Sequence, residues 1–281
     1  AESDARAFLA AVPADQRGLL LLSQLLHQQN RSDESIELLI NALKDKPNNR
    51  PLRLQYARFL ATNTPKKAIA QFEILRDDNP KDQEVNFLLA LMQLSHGDIT
   101  DAENLFEQAS AKPSLRSDAQ YHLGAISEQK GDISGAMSRY TQVRFGRNYI
   151  AAASRLSALL AKHRSMSQAQ QYLQRMRSSQ PTQAVILFQV ESNLLLNAQK
   201  PSQALVVLSS GLDYFPNDPQ LLYARSMVAE QQDDFVLAEQ DLRAILAQDQ
   251  NNATVLNALG YTMILHTDRR EEAFELITKA Y

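Results

Sequence analysis

The chain has 281 residues, of which 44% are hydrophobic and 22% charged, a composition that excludes global disorder. Its 29 basic and 32 acidic side chains leave a net charge of −3, which argues against a nucleic-acid footprint over the whole chain. The absence of cysteine excludes disulfides, thiolate metal sites and a cysteine nucleophile. No apolar run approaches the roughly 18 residues of a membrane-spanning helix. The chain opens at Ala1 without a methionine, and we expect it to be a piece of a longer protein.

The predicted elements are helices throughout: in chain order, a short N-terminal helix and then a series of pairs. The first helix is predicted near Ser3 to Val12, within residues 1–14, which form a partial cap. From Asp15 onward, apolar residues recur with the 3.6-residue period of a helix. Prolines interrupt this pattern at intervals of 33, 33, 68 and 35 residues, which indicates regular helical units. These prolines are Pro47, Pro80, Pro113, Pro181 and Pro216.

Three kinds of position repeat with the same period. A small residue recurs at Ser35, Ala68, Ala102, Ala136, Ala169, Ala204, Ala238 and Ala273. Four residues after each comes a large one: Leu39, Phe72, Phe106, Tyr140, Leu173, Leu208, Leu242 and Ile277. About twelve residues before each comes another small one: Ser23, Ala57, Ala90, Gly124, Ser157, Ser192, Ser226 and Gly260.

Small residues on facing helices permit close approach of the two backbones, and the large residue fills the remaining space. The unit is therefore a helix hairpin of about 34 residues, present eight times. Residues 15–281 are expected to form one continuous array of about sixteen helices, because stacked repeats have no internal boundary. The last helix presents Ala273, Ile277 and Ala280 to a following neighbour, so we expect the array to continue beyond Tyr281.

This pattern resembles the tetratricopeptide repeat (TPR). The clearest copies are His96-Gly97-Asp98-Ile99-Thr100-Asp101-Ala102 with Phe106, and Leu123-Gly124 followed by Gly131-Asp132-Ile133 and Ala136. The chain departs from the family in having no tryptophan and in carrying large residues such as Leu75 and Val143 at a position that is usually small. The resemblance implies an all-α, right-handed superhelical solenoid of about eight hairpins.

Two segments resemble a narrower group, the outer-membrane TPR lipoproteins of Gram-negative bacteria. They are Tyr56-Ala57-Arg58-Phe59-Leu60 and the asparagine-rich stretch from Asn251 to Thr262. The type known in Pseudomonas is an adaptor of a carboxyl-terminal processing protease, to which it delivers cell-wall hydrolases. The resemblance implies a periplasmic location, a lipid anchor outside this span, and the protease and peptidoglycan hydrolases as partners. A cytoplasmic location stays open.

No motif for catalysis, a metal or a cofactor is present in the sequence. The five histidines have no metal-ligand spacing, and Ser127-Glu128-Gln129-Lys130 matches a hydrolase motif only formally, without its supporting elements. Glycine-rich phosphate loops and nucleophile elbows are missing. We therefore expect a non-catalytic protein without metal or cofactor.

An array of hairpins presents a concave groove built from its first helices. The positions expected to line it are defined by the small residue of each first helix, such as Ala57. They fall one residue after that small residue and one helical turn before it. Leu54, Phe87 and Leu91 occupy such positions but are expected to pack between repeats. The predicted partner-binding residues are Arg58, Tyr121, Gln189, Asn193, Tyr223, Met227, Asn257 and Tyr261. Tyrosine, methionine and amide side chains suit peptide binding, because they combine contact area with hydrogen bonds to a backbone.

The charge distribution is uneven. The 58 residues between Asp132 and Glu191 contain no acidic side chain. They contain eight basic ones: Arg139, Arg144, Arg147, Arg155, Lys162, Arg164, Arg175 and Arg177. Solvated faces normally alternate in sign, so this basic block predicts an anionic partner. An acidic protein segment or a phosphate-bearing glycolipid fits; no nucleic-acid partner is expected, because acidic flanks repel a long polyanion. We expect the eight charges to merge into one uncompensated region.

Three functional hypotheses follow. The first is a non-catalytic adaptor that docks protein partners through its groove and basic block. The second is the substrate-recognition arm of a larger enzyme. The third, a cytosolic co-chaperone-like module, is weakened because the lysines that hold a terminal carboxylate in such modules are missing here.

Overall fold

The computed structural model describes residues 1–281 and is entirely helical, with seventeen α-helices and no strand. The all-α hairpin fold predicted from the sequence is confirmed, including the sixteen repeat helices and the additional N-terminal helix. None of the helices has both the length and the apolar sequence needed to cross a bilayer. The chain forms two compact units, Ala1–Tyr149 and Ile150–Tyr281, and each is described by itself.

The first unit contains nine helices. They are α1 Glu2–Ala11, α2 Gln16–Gln28, α3 Ser32–Asp45, α4 Arg50–Asn63, α5 Pro65–Asp78, α6 Gln83–His96, α7 Ile99–Ala109, α8 Pro113–Gln129 and α9 Ile133–Thr141. Helix α1 packs on α2, where Leu9 lies against Gly18; a Cβ atom at Gly18 would stand 2.9 Å from the Leu9 Cδ2 atom. The even-numbered helices are the first helices of the hairpins, and the odd-numbered helices from α3 onward are the second.

The second unit contains the remaining helices. They are α10 Tyr149–His163, α11 Met166–Ser179, α12 Ala184–Asn197, α13 Pro201–Tyr214, α14 Pro219–Glu230, α15 Phe235–Leu246, α16 Ala253–His266 and α17 Arg270–Ala280. A short 3₁₀ turn, Pro181–Gln183, precedes α12. Within each hairpin from α12 onward the two helices pack along each other.

Side-chain caps and prolines fix where the first helices begin. Asp218 precedes α14 and accepts hydrogen bonds from the backbone N–H groups of Gln220 and Leu221, while Pro219 takes the first helical position. Asn252 accepts from the Val255 N–H at the start of α16. Such caps satisfy N–H groups that have no partner within the helix, and proline has no N–H to satisfy there.

The predicted register is confirmed by burial. All sixteen small positions are buried, and of the eight large positions only Ile277 is partly exposed. In the first hairpin the two small positions touch directly, because the Ser35 hydroxyl donates to the Ser23 carbonyl oxygen at 2.7 Å. Contact at this distance requires small side chains on both helices, which is why alanine, serine and glycine recur there.

Candidate protein-binding groove

Three predicted groove residues of the second unit lie along one continuous groove. Gln189 on α12 and Tyr223 on α14 line a cavity of about 470 Å³. Tyr223 and Asn257 on α16 line the adjoining cavity of about 370 Å³. The three residues are each 34 positions apart and occupy the same place on successive first helices. We call this surface the α12–α16 groove.

A second row of predicted residues lies one helical turn further along the same helices. Asn193, Met227 and Tyr261 follow the first row by four residues each, which places them on the same helix faces. All three are exposed, Met227 by 39% and Tyr261 by 58% of its surface. Large side chains with this exposure on neighbouring helices offer contact area to a partner.

The lining of the α12–α16 groove contains no acidic or basic side chain. Besides the three residues already named, it consists of Pro219, Gln220, Ala224, Ile245, Asn252, Ala253, Thr254, Val255, Ala258, Ala280 and Tyr281. The side chains of Gln189, Tyr223 and Asn257 make no hydrogen bond within the protein. Their amide and hydroxyl groups are therefore available to a ligand.

Arg225, two residues after Tyr223, is held in an ion pair with the second helix of its own hairpin. Arg225 on α14 binds the Asp241 carboxylate on α15 through two hydrogen bonds of 2.8 Å and 2.7 Å. Asp241 is only 1% exposed, and its hydrogen bonds raise the pKa of the Arg225 guanidinium. A two-point contact of this kind fixes the side chain between the helices of the hairpin.

Gln220, Asn252 and Thr254 also line the groove, although the sequence pattern did not select them. Asn252 lies in the asparagine-rich stretch from Asn251 to Thr262, and in the structure its side chain also caps α16. Gln220 and Thr254 each lie three residues before a predicted groove position, Tyr223 and Asn257, so the i, i+3 neighbour relation could have identified them.

The predicted groove residues of the first unit are engaged with their own surroundings. The Arg58 Nη2 group donates to Glu84 Oε1 at 2.7 Å, which makes Arg58 part of an exposed ion pair. The half-buried Tyr121 ring has its centroid 6.0 Å from that of Tyr140. Leu54 and Phe87 are buried, as expected for packing between repeats.

The expectation that the basic block is uncompensated is wrong, because at least three of its eight members have acidic partners. Arg139 pairs with Glu107, and the Arg147 Nε atom lies 3.3 Å from Asp118 Oδ2. Arg177 pairs with the buried Glu191 and stacks over the Phe188 ring, with 4.2 Å between its Cζ atom and the ring centroid. The acidic partners lie outside the basic block, and Glu107 and Asp118 come from helices about one repeat earlier.

The other basic residues lie on the surface. Lys162 and Arg164, at the turn between α10 and α11, are exposed and have no acidic partner, and the same holds for Arg144 in the first unit. Arg175 is exposed and donates to the Gln171 carbonyl oxygen of its own helix. Arg155 is exposed on α10. Since the eight residues are divided between the two units, their merging into one region stays a prediction.

A separate cavity of about 630 Å³ lies between α11, α12 and α13 of the second unit. The pair formed by Arg177 and Glu191 lies in its lining together with Phe188, and the exposed Val206 and Tyr214 stand at its edge. On α12, Glu191 points to this cavity whereas Gln189 points to the α12–α16 groove. Because Gln189 and Glu191 are two residues apart, their side chains project about 200° from each other around the helix axis. Helix α12 therefore separates the two cavities.

Comparison with known proteins agrees with this fold. The sequence profile of the tetratricopeptide repeat matches residues 1–51, 58–103, 93–145 and 190–253. A TPR repeat-containing protein of Pseudomonas aeruginosa is 37% identical over 264 residues, which cover 94% of this chain and 45% of that protein. The chain thus spans less than half the length of this curated relative.

Two solved structures share the fold at low sequence identity. A tetratricopeptide repeat protein from Parabacteroides merdae is 13% identical with a TM-score of 0.53, covering 94% of this chain and 98% of its own. MamA is 18% identical with a TM-score of 0.51, covering 58% of this chain and 96% of its own. With the sequence profile matching most of its length, the chain belongs to the tetratricopeptide repeat family.

Proposed function

We propose that the chain is the protein-binding part of a periplasmic adaptor, in which the α12–α16 groove holds an extended segment of a client protein. The observation that carries this proposal is the row of Gln189, Tyr223 and Asn257, three unpaired polar side chains in an uncharged groove. The TPR fold is that of a protein–protein interaction scaffold, and proteins of this family are in general non-catalytic.

The groove is suited to a peptide main chain. Glutamine and asparagine side chains both donate and accept hydrogen bonds, as peptide N–H and C=O groups require. Tyr223 and Tyr261 add rigid aromatic surface that loses little conformational entropy on binding. The residues project from packed helices, so the groove is formed before the ligand arrives and ordering costs are low.

The proposed partners rest on the resemblance of two sequence segments to the outer-membrane lipoproteins. The client is a peptidoglycan hydrolase, and the second partner is a carboxyl-terminal processing protease that degrades it. A lipid anchor outside this span holds the protein at the outer membrane. The exposed Lys162 and Arg164 attract an acidic segment of one of these partners and raise its association rate.

Binding measurements with purified proteins test this function. The chain is immobilised, and the hydrolase and the protease of the same organism are applied singly and together. We expect both to bind at micromolar concentration or below, and the two together to form a ternary complex. The triple variant Gln189→Ala, Tyr223→Ala and Asn257→Ala should bind the hydrolase at least about tenfold more weakly, the loss of roughly 1.4 kcal/mol.

A matched control uses exposed amides of the second helices, Gln203→Ala with Gln240→Ala, which lie outside the groove lining. This control should bind the hydrolase as the unaltered chain does. Absence of hydrolase binding to the unaltered chain, or equal binding by the triple variant, contradicts the proposed function.

A further inference from the structure

The α12–α16 groove has a spacing between α12 and α14 that a bound chain must match. Gln189, Tyr223 and Asn257 repeat once per hairpin, and α12 packs directly on α14. Axes of packed helices lie about 8–10 Å apart. The hydrogen-bonding groups of Gln189 on α12 and Tyr223 on α14 are therefore separated by about that length.

Extended peptide conformations differ in how well they fit such an interval. A β-strand returns to the same face every second residue, after about 6.7 Å. A polyproline II helix returns every third residue, with a rise of about 3.1 Å per residue and thus about 9.3 Å per turn. Only the second conformation presents an equivalent residue to α12 and to α14 without stretching or a shift in register.

The chemistry of the groove points to the same class of ligand. Polyproline II has no internal hydrogen bonds, so its carbonyl oxygens are free to accept. Gln189, Tyr223 and Asn257 each carry a donor, and proline-rich segments have few N–H groups that would need an acceptor in return. The groove lining has no charged side chain that could offset the desolvation of a charged ligand group.

We infer that the α12–α16 groove binds an uncharged, proline-rich segment in the polyproline II conformation, with one turn of the ligand between Gln189 on α12 and Tyr223 on α14. This inference rests on the proposed function only in taking the groove as a peptide site, and it adds the class of peptide. Tyr223 packs on one proline ring face, while its hydroxyl donates to a carbonyl of the same turn.

Fluorescence anisotropy with labelled synthetic peptides tests the inference. The probe is a neutral peptide of four Pro-Pro-Ala triplets, and the comparison peptides of equal length are a Gly-Ser repeat and a Ser-Thr repeat. We expect the proline-rich peptide to bind at least about tenfold more tightly than either. Tyr223→Ala should abolish this preference, Tyr223→Phe should keep part of it, and Gln240→Ala should leave it unchanged.

A glutamate scan along the proline-rich peptide tests the register. Substitutions should weaken binding with a period of three residues, since every third side chain faces the uncharged groove. A period of two, the absence of any period, or equal binding of the Gly-Ser peptide overturns the inference. Hydrolase binding by the same protein is measured in parallel. If the groove variants weaken it while the peptides show no preference, the proposed function stands and only the ligand class is wrong.

Discussion

The ring of Tyr140 fills the space next to Gly124. A Cβ atom on Gly124 would stand 2.7 Å from Cε1 and 2.8 Å from Cδ1 of that ring. Tyr140 is fully buried, and its hydroxyl donates to Glu128 at 2.9 Å, which prevents the ring from moving aside. The last hairpin repeats the relation, with 2.6 Å between a Cβ atom on Gly260 and Ile277 Cγ1. Within a hairpin, the small residue of the first helix and the large residue of the second helix thus constrain each other.

Gly124→Ala should destabilise the protein, although helix propensity alone favours the change by about 1 kcal/mol. Overpacking against the fixed Tyr140 ring costs about 1–3 kcal/mol and outweighs that gain. Urea denaturation followed by circular dichroism measures the net effect. A rise in the midpoint would show that the ring yields and that the contact does not constrain the hairpin.

Ala102→Leu tests the small position of the second helix without a comparable change in helix propensity. Ala102 is fully buried, and the larger side chain should cost about 1–3 kcal/mol through overpacking. Ala70→Leu on α5, the second helix of a neighbouring hairpin, is the control, because Ala70 is exposed. Equal denaturation midpoints for the two variants would contradict the role assigned to the small positions.

The ion pairs of Glu239 give the protein a dependence on acidic pH. The hydrogen bond from Arg269 lowers the pKa of Glu239 against the opposing effect of burial, with a further contribution from Arg243. Because the folded-state pKa lies below the unfolded value of about 4.3, the stabilisation is complete above that pH. It is lost as the pH falls through the folded-state pKa.

Glu239→Gln should therefore lower stability near pH 7, and this loss should shrink towards pH 3 as the native carboxyl group becomes protonated as well. The expected loss near neutrality is about 0.5–1 kcal/mol, since Arg243 and Arg269 are partly exposed. Urea midpoints at both pH values measure it. A loss of equal size at both would mean that the carboxylate charge is not what stabilises the fold.

Reversal of the two exposed cations at the α10–α11 turn tests electrostatic attraction of a partner. Lys162→Glu with Arg164→Glu should slow association with the partner that carries the acidic segment, and should flatten the dependence of the rate on salt. Dissociation should change less. Stopped-flow association rates at several salt concentrations measure the effect.

The control for this experiment reverses Lys200 and Arg270, two exposed cations of the same unit, which changes the net charge equally. If both double variants slow association to the same extent, net charge alone is responsible and the α10–α11 turn has no specific role.

Much of the fold could be predicted from the sequence because every repeat buries side chains at equivalent positions. Every hairpin needs a small residue at positions such as Ala102 and Gly124, so the periodicity appears in the sequence itself. The α12–α16 groove followed from the same register, since Gln189, Tyr223 and Asn257 are fixed relative to the small positions.

The charge pairing could not be predicted in this way. Arg139 and Arg147 find their acidic partners 32 and 29 residues earlier, on neighbouring helices. A count of charges along the chain compares only sequence neighbours. It therefore overestimated the number of basic residues without an acidic partner. Arg177 was misjudged for a related reason, because its partner Glu191 is the residue at which the basic block ends.

Photo-crosslinking tests most directly whether the α12–α16 groove binds a protein client. A benzoylphenylalanine residue replaces Met227, which is exposed in the second row of the groove, or in a parallel sample Gln240 on the second helix α15. Each protein is irradiated with the purified hydrolase, and the crosslinked peptide is sequenced by mass spectrometry. The account predicts a crosslink from position 227 to one continuous hydrolase segment and none from position 240. Crosslinks from position 240 alone, or from neither position to a bound hydrolase, would contradict it.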